Sequence, residues 1–357
     1  MMLRGLTLIS LSAFLVLSAM AQTTDTSKSA PKPLGKLIDV GGWRLHLNCT
    51  GDNQGNAPTV VLESGGGGFS FDWTLVQQGV AQFTRVCSYD RAGHAWSDLG
   101  PRPRTMKQIA YELHTALLKA DIEGPYVLVG QSIGGLLIRT FAMQYPQEVA
   151  GMVLVDSAHE DGLFSINGKL QRMRDLSQGR TIPPIQTTIS AADKALTAEE
   201  KQQAEDFIKQ IGPFKIGPPF DRFPPEIQQA RLWALAQPEH YAADSDPYWG
   251  EEFAEIYAAR QSQEYPLGDI PLIVLIAGKS DKAPPNVSEA EWERFNEEKR
   301  QQKADLGTLS RNSKVVIDPK SRHEIHLDHP ELVVNAIREV VEAARHHIRL
   351  TTGKPAQ

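Results

Sequence analysis

The stretch Gly130-Gln131-Ser132-Ile133-Gly134-Gly135 constrains this chain more than any other, because of what flanks it. The apolar run Tyr126-Val127-Leu128-Val129 ends just before it and Leu136-Leu137-Ile138 begins just after it, so a strand must turn straight into a helix. A turn that tight forces its central residue into a strained backbone conformation. It also admits only glycine where strand and helix pass closest. A bare G-x-S-x-G is a weak signal, and an ordinary structural turn can carry it. In this setting it points to a serine presented as a nucleophile, at a helix N-terminus whose N–H groups face any oxyanion formed there.

The rest of the chain supplies the strands and helices that such a turn needs. Lys36 to Asn48 reads as a hairpin about Gly41-Gly42, with Trp43, Leu45 and Leu47 alternating against Arg44, His46 and Asn48. Thr59 to Leu62 is an apolar strand leading into Glu63-Ser64-Gly65-Gly66-Gly67-Gly68, and Arg85 to Tyr89 another leading into Asp90-Arg91-Ala92-Gly93-His94. A helix over Trp73 to Phe83 joins them. Met106, Ile109, Leu113, Leu117 and Ala120 mark an amphipathic helix ended by Gly124-Pro125, and a helix from about Ile133 stops before Pro146. Met152 to Val155, Leu272 to Ala277 and Val315 to Ile317 are further strands, with a capped helix from Ser288 and a last amphipathic helix from Glu331 to about His346. Strands apolar on both faces, alternating with helices, predict an α/β fold with a mostly parallel central sheet flanked by helices.

Between residues 159 and 265 the pattern changes. Proline pairs recur, Thr197 and Glu200 stand at capping-box spacing, and aromatics run from Trp233 through Tyr241, Tyr248, Trp249 and Phe253 to Tyr257. An inserted helical cap is expected there, on a core formed by residues 36–158 and 266–350, with 351–357 a flexible tail. The cap's aromatics are candidates to wall an apolar pocket, although helices packing onto a core use the same residues.

Arg4, the apolar stretch Leu6 to Leu17 and Ala19-Met20-Ala21 read as a secretory signal over residues 1–21, with an uncleaved N-terminal anchor as the alternative, followed by a polar disordered leader over 22–35. No second apolar stretch of spanning length follows, so the chain is expected to be exported, periplasmic or secreted, without stable membrane insertion after cleavage. A net charge of −6 offers no basic footprint for nucleic acid. Neither a metal nor another cofactor is implied, since the His and Asp residues do not fall into spacings such as H-E-x-x-H. Cys49 and Cys87 are the two cysteines. They either form one bridge, of roughly 4 kcal/mol on the chain-entropy account, or remain separate buried thiols.

A serine needs a base, and His323, His326 and His329 fall late in the chain. His323 comes one loop after the strand Val315 to Ile317, where it can lean over Ser132, whereas His326 and His329 adjoin the last helix and suit a packed or solvated imidazole. Two acids end strands at the same edge and keep the order Ser, Asp, His: Asp281 is the first choice and Asp156 the alternative. The N–H of Ile133 and that of Gly65 or Gly66 can form an oxyanion hole, for which the glycine run clears the approach.

The glycine loop at Ser64 to Gly68, the stretch Tyr89-Asp90-Arg91-Ala92-Gly93-His94-Ala95-Trp96-Ser97, the elbow at Ser132, Asp156, Gly278-Lys279-Ser280-Asp281, and His323 with Leu327-Asp328-His329-Pro330 together resemble the α/β-hydrolase superfamily over roughly residues 36 to 348. The resemblance implies an α/β-hydrolase fold with Ser132 as nucleophile, His323 as base and Gly66 or its neighbour as an oxyanion donor. Members usually place the acid after the seventh strand, matching Asp281, and some after the sixth, matching Asp156. Gln131 stands where relatives often carry His, and Ser64-Gly65 where many begin His-Gly. The family's second and fourth strands are neighbours, which implies a Cys49–Cys87 disulfide. The expected function is an exported serine hydrolase acting on a small carboxylic ester through an acyl-enzyme. Aminopeptidase, other acyl-transfer and non-catalytic ligand-binding members are the alternatives. Epoxide hydrolases and dehalogenases of the fold resemble it with Asp at the elbow.

Overall fold

A parallel strand buried on both faces needs apolar side chains in succession, and five runs in this chain have them. The computed structural model describes residues 30–350 apart from 54–56, 167–168, 244–246, 281 and 284–286. The signal at 1–21, most of the leader, Asp281 and the tail at 351–357 lie outside the described residues.

The main sheet holds eight strands: β1 (Lys36–Asp39), β2 (Arg44–Thr50), β3 (Val60–Glu63), β4 (Val86–Tyr89), β5 (Tyr126–Gln131), β6 (Val149–Val155), and, beyond a separate hairpin of β7 (Leu163–Ile166) and β8 (Lys169–Arg172), β9 (Leu272–Ala277) and β10 (Ser313–Asp318). Their order is β1-β2-β4-β3-β5-β6-β9-β10. β1 and β2 pair antiparallel, β2 meets β4 antiparallel, and every pairing from β4 onward is parallel. This is the mostly parallel central sheet flanked by helices that the sequence predicts.

Period-2 alternation sends successive side chains of the central strands into two cores. Tyr126 and Leu128 of β5 enter one, with Leu113 and Leu117 of α2 (Met106–Lys119) and Ile138 and Phe141 of α3 (Gly134–Gln144). Val127 and Val129 enter the other, against Val76 and Val80 of α1 (Thr74–Val80) and Ile337, Val340 and Val341 at the far end of the chain. Thr105 caps α2 by accepting from the N–H of Gln108. The β2–β4 register places Cys49 opposite Cys87 with Cα atoms 4.0 Å apart, and the two form a disulfide. No helix among the described residues is long and apolar enough to cross a membrane.

The segment between β6 and β9 carries α4 (Ala198–Ile211), α5 (Pro225–Leu235), α6 (Pro238–Ala243) and α7 (Trp249–Ser262), with the Thr197–Glu200 capping box at the start of α4. It also carries the β7–β8 hairpin, which the sequence pattern did not suggest. The hairpin pairs only with itself and adds no strand to the main sheet, so it has no need of the continuous apolar run that marks a core strand. After β9 come α8 (Glu289–Asp305), capped by Ser288 and Glu291, then β10, the short α9 (Ile325–Asp328) and α10 (Pro330–His346).

A buried ionic cluster ties the inserted segment to the sheet domain. Glu160 is fully buried and accepts from Arg139 of α3 at 2.7 Å and from Arg260 of α7 at 3.0 Å. Burial alone would raise the Glu160 carboxyl, but Arg139, His159 and Arg260 bring it down to about 2. A depressed carboxylate stabilises the fold above its unfolded value, near 4.5, and that contribution is lost as pH falls toward 2. Glu160→Gln leaves the Arg139 guanidinium facing an uncharged amide, while Arg260 keeps its bonds to Asp305 and Thr308, and is expected to cost about 3 kcal/mol at pH 7. Urea unfolding of parent and variant from pH 7 to pH 2 checks this. Equal stability at pH 7, or a gap that stays constant down to pH 2, would refute it.

Candidate active site

β5 runs into α3 with Ser132 and Ile133 between them, and Ser132 takes a φ of +56°, a conformation that side-chain-bearing residues seldom adopt. The flanking glycines are dictated by the crossing of strand and helix. A Cβ on Gly130 would stand 2.5 Å from the Gly134 carbonyl oxygen, and one on Gly134 would stand 2.7 Å from that of Glu63. The serine's main chain is anchored to the next strand and its following turn: its N–H donates to Val155 O at 3.1 Å, and its carbonyl accepts from Ala158 N–H at 2.8 Å. Ile133 follows at the N-cap of α3.

The register of β5 on β6 pairs Gln131 with Val155, so the next residues, Ser132 and Asp156, stand side by side at the carboxyl edge of the sheet. Asp156 also turns through a positive φ, +44°, and is 2% exposed. Its Oδ1 accepts from the Ala277 N–H at the end of β9 at 2.9 Å. Its Oδ2 lies 2.6 Å from His323 Nδ1 and also receives the Lys303 ammonium from α8. Burial would raise this carboxyl, yet the Lys303 charge and the His323 contact hold it well below the usual carboxylate range. With Nδ1 donating to the carboxylate, the lone pair of the His323 ring is on Nε2, the form a general base requires.

His323 rides on a short loop between β10 and α9 that is pinned at both ends. Ser321 Oγ donates to Asp318, and His329 Nδ1 lies 2.5 Å from the same carboxylate. Gln131, the residue before the serine, donates from Nε2 to the His323 carbonyl at 3.4 Å. His326 is buried against Trp73, with ring centroids 4.7 Å apart, and burial pushes it down to about 3. His326 is thus packed in the core, while His329 is a partly exposed partner of Asp318. Of the two candidate acids, Asp156 is hydrogen-bonded to His323, and Asp281 lies outside the described residues.

The glycine loop lies against the serine. A Cβ on Gly65 would sit 3.2 Å from Ser132 Cβ and would overlap the Gln131 amide. Arg91, buried at the end of β4, holds the loop by its carbonyls: Nη1 donates to Ser64 O at 2.9 Å and Nη2 to Gly65 O at 2.7 Å. Arg91 is itself oriented by Glu63 at 2.8 Å, whose other oxygen accepts from Tyr89 Oη. In a trans peptide the N–H points away from the carbonyl. Fixing the Ser64 and Gly65 carbonyls on Arg91 therefore turns the N–H groups of Gly65 and Gly66 to the opposite side of the loop.

The aromatics of the inserted segment divide. Trp233 joins a buried cluster with Phe69, Phe71 and Trp96 beside the glycine loop, and Phe253 packs with Ile133 and Leu136 at the elbow. Tyr248 and Tyr257 instead lie under the guanidinium groups of Arg180 and Arg174, at 4.9 and 4.3 Å. Two further residues shape the site: Arg91, which the sequence pattern marks only as part of the stretch Tyr89 to Ser97, and Lys303. Arg91 had a visible signal in its position straight after an apolar strand beside Asp90. Lys303 had none, being one charged residue near the end of a charged helix. Among the described residues no group of three or more His, Cys, Asp or Glu is placed to hold a metal ion.

Residues 58–330 match the family model described as alpha/beta hydrolase fold. An AB hydrolase superfamily protein of Gibberella zeae is 24% identical over 313 residues, which cover 81% of this chain and 87% of that protein. A probable transporter, efuK, of Hormonema carpetanum is 36% identical over 129 residues, 35% of this chain and 18% of its own length. Other curated relatives matched over short stretches are likewise spanned only in part, to 31% and 23% of their lengths. Among solved structures, a thermophilic esterase from Thermogutta terrifontis superposes with a TM-score of 0.54 at 21% identity, over 87% of this chain and 98% of that one.

Proposed function

The chain belongs to the α/β-hydrolase family, and from that premise we propose that it is an exported serine hydrolase that cleaves a small carboxylic ester through an acyl-enzyme. The observation that carries the reading is the His323–Asp156 contact of 2.6 Å at the sheet edge where Ser132 turns through a positive φ. In this reading Ser132 Oγ attacks the ester carbonyl while His323 Nε2 takes its proton. The oxyanion is received by the N–H of Ile133 and by that of Gly65 or Gly66. Collapse expels the alcohol, which takes the proton back from His323, and leaves Ser132 acylated. Water, deprotonated by the same imidazole, then releases the acid. Asp156 holds the ring in its working tautomer and stabilises the imidazolium.

The inserted segment acts as a cap in this proposal, with Trp233 and Phe253 lining the approach to the elbow. Export rests on the N-terminal signal pattern and is supported by the Cys49–Cys87 disulfide, a bond that persists in oxidising compartments. Intact mass after exposure to a fluorophosphonate tests the chemistry. The parent is expected to gain one adduct and Ser132→Ala none. A folded parent that gains no adduct would overturn the hydrolase reading and favour ligand binding without turnover.

A further inference from the structure

The Asp156 carboxylate has two cationic or potentially cationic neighbours on one oxygen. His323 Nδ1 and Lys303 Nζ both reach Oδ2, while Oδ1 is taken by the Ala277 N–H. A Ser-His-Asp arrangement needs only the first of these contacts. Lys303 is 5% exposed, so a charged side chain has been drawn out of water to stand at the acid, at a desolvation cost that the salt bridge to Asp156 offsets only through close approach. Burial pushes its ammonium down to about 8, with Asp156 pulling the other way, so it is still charged throughout the acidic and neutral range. Among the described residues, the charged or titratable groups acting on this pair are Lys299 on the same helix and His323, and His323 in turn faces His326, on which Arg231 also acts.

We propose that Lys303 is a positioning residue that acts through Asp156 to lower the basicity of His323 and so extends the working range of the site toward acidic pH. The proposal rests on the triad reading above. A carboxylate shared with an ammonium exerts less attraction on an imidazolium, and the ammonium repels that imidazolium directly. Both effects disfavour protonated His323. The neutral, base-competent ring therefore persists to lower pH than it would beside an unshared Asp156. At the same time the Lys303 contact fixes Oδ2 in place, so the charge and the tether must be separated experimentally.

The test uses the whole protein and four variants: Lys303→Met, Lys303→Gln, Lys303→Arg and His323→Gln. The rate of fluorophosphonate labelling is measured from pH 4 to pH 9, in parallel with an NMR titration of the imidazole resonances, the His323 signal being the one lost in His323→Gln. Removing the charge in Lys303→Met is expected to raise both the acidic limb of labelling and the His323 titration point by about one unit. Lys303→Gln, which keeps a donor toward Asp156, should shift like Lys303→Met, and Lys303→Arg should stay with the parent. A His323 titration point in Lys303→Gln within about 0.2 unit of the parent would overturn the proposal and leave Lys303 as a tether only. If the parent takes no label at all, the serine-hydrolase reading fails, and the imidazole titration still decides the Lys303 question.

Discussion

Ser132→Ala is expected to lower kcat/KM for a short-chain p-nitrophenyl ester by at least about 10⁴-fold, with little change in melting temperature. The size of the loss follows from the order of events. Without the hydroxyl there is no acyl-enzyme, and what remains is whatever a bound ester gains from the N–H groups of Ile133 and the glycine loop. Stability is spared because alanine at φ +56° carries the same backbone strain as serine and the anchoring bonds to Val155 and Ala158 come from the main chain. Residual activity above about a tenth of the parent would place the chemistry on another residue.

The second large effect separates the two acids. Asp156→Asn is expected to lower kcat by about 10⁴-fold, because an amide can donate to Nδ1 and hold the ring in the tautomer that leaves no lone pair on Nε2. Asp281→Asn is expected to change it less than about tenfold: the single Nδ1 proton of His323 is already committed at 2.6 Å to Asp156. Asp156→Asn should also be less stable, by about 3 kcal/mol in urea unfolding, since it leaves the buried Lys303 ammonium facing an uncharged amide. The opposite activity pattern, with Asp281→Asn inactive and Asp156→Asn near the parent, would assign the acid to the loop after β9.

The pair of candidate acids illustrates how far local pattern reaches. Asp156 and Asp281 both follow apolar runs that read as core strands, so both stand at the right edge by the same argument, and nothing in their neighbours along the chain separates them. What distinguishes Asp156 is lateral. β6 lies beside β5, the Gln131–Val155 pairing carries Asp156 level with Ser132, and the loop after β10 brings His323 across to it. The hairpin β7–β8 was missed for the same kind of reason in reverse. It is built by pairing with itself, so its short mixed sequence lacks the apolar continuity that announces a strand of the main sheet.

By itself the sequence determined whatever one segment imposes on its own backbone. Strand runs apolar on both faces, the amphipathic helix after Thr105, the capping boxes at Thr197 and Ser288, and the glycines that let a strand turn into a helix around Ser132 are local conflicts of sterics, hydrogen bonding and burial. Only the tertiary structure decided which carboxylate meets His323, that Lys303 shares it, and that Arg91 clamps the carbonyls of Ser64 and Gly65. Those contacts join residues 26 to 167 positions apart, with Lys303 and Asp156 likewise on distant segments. Strand order and register set them, and no short-range pattern encodes which side chain will stand across the sheet edge.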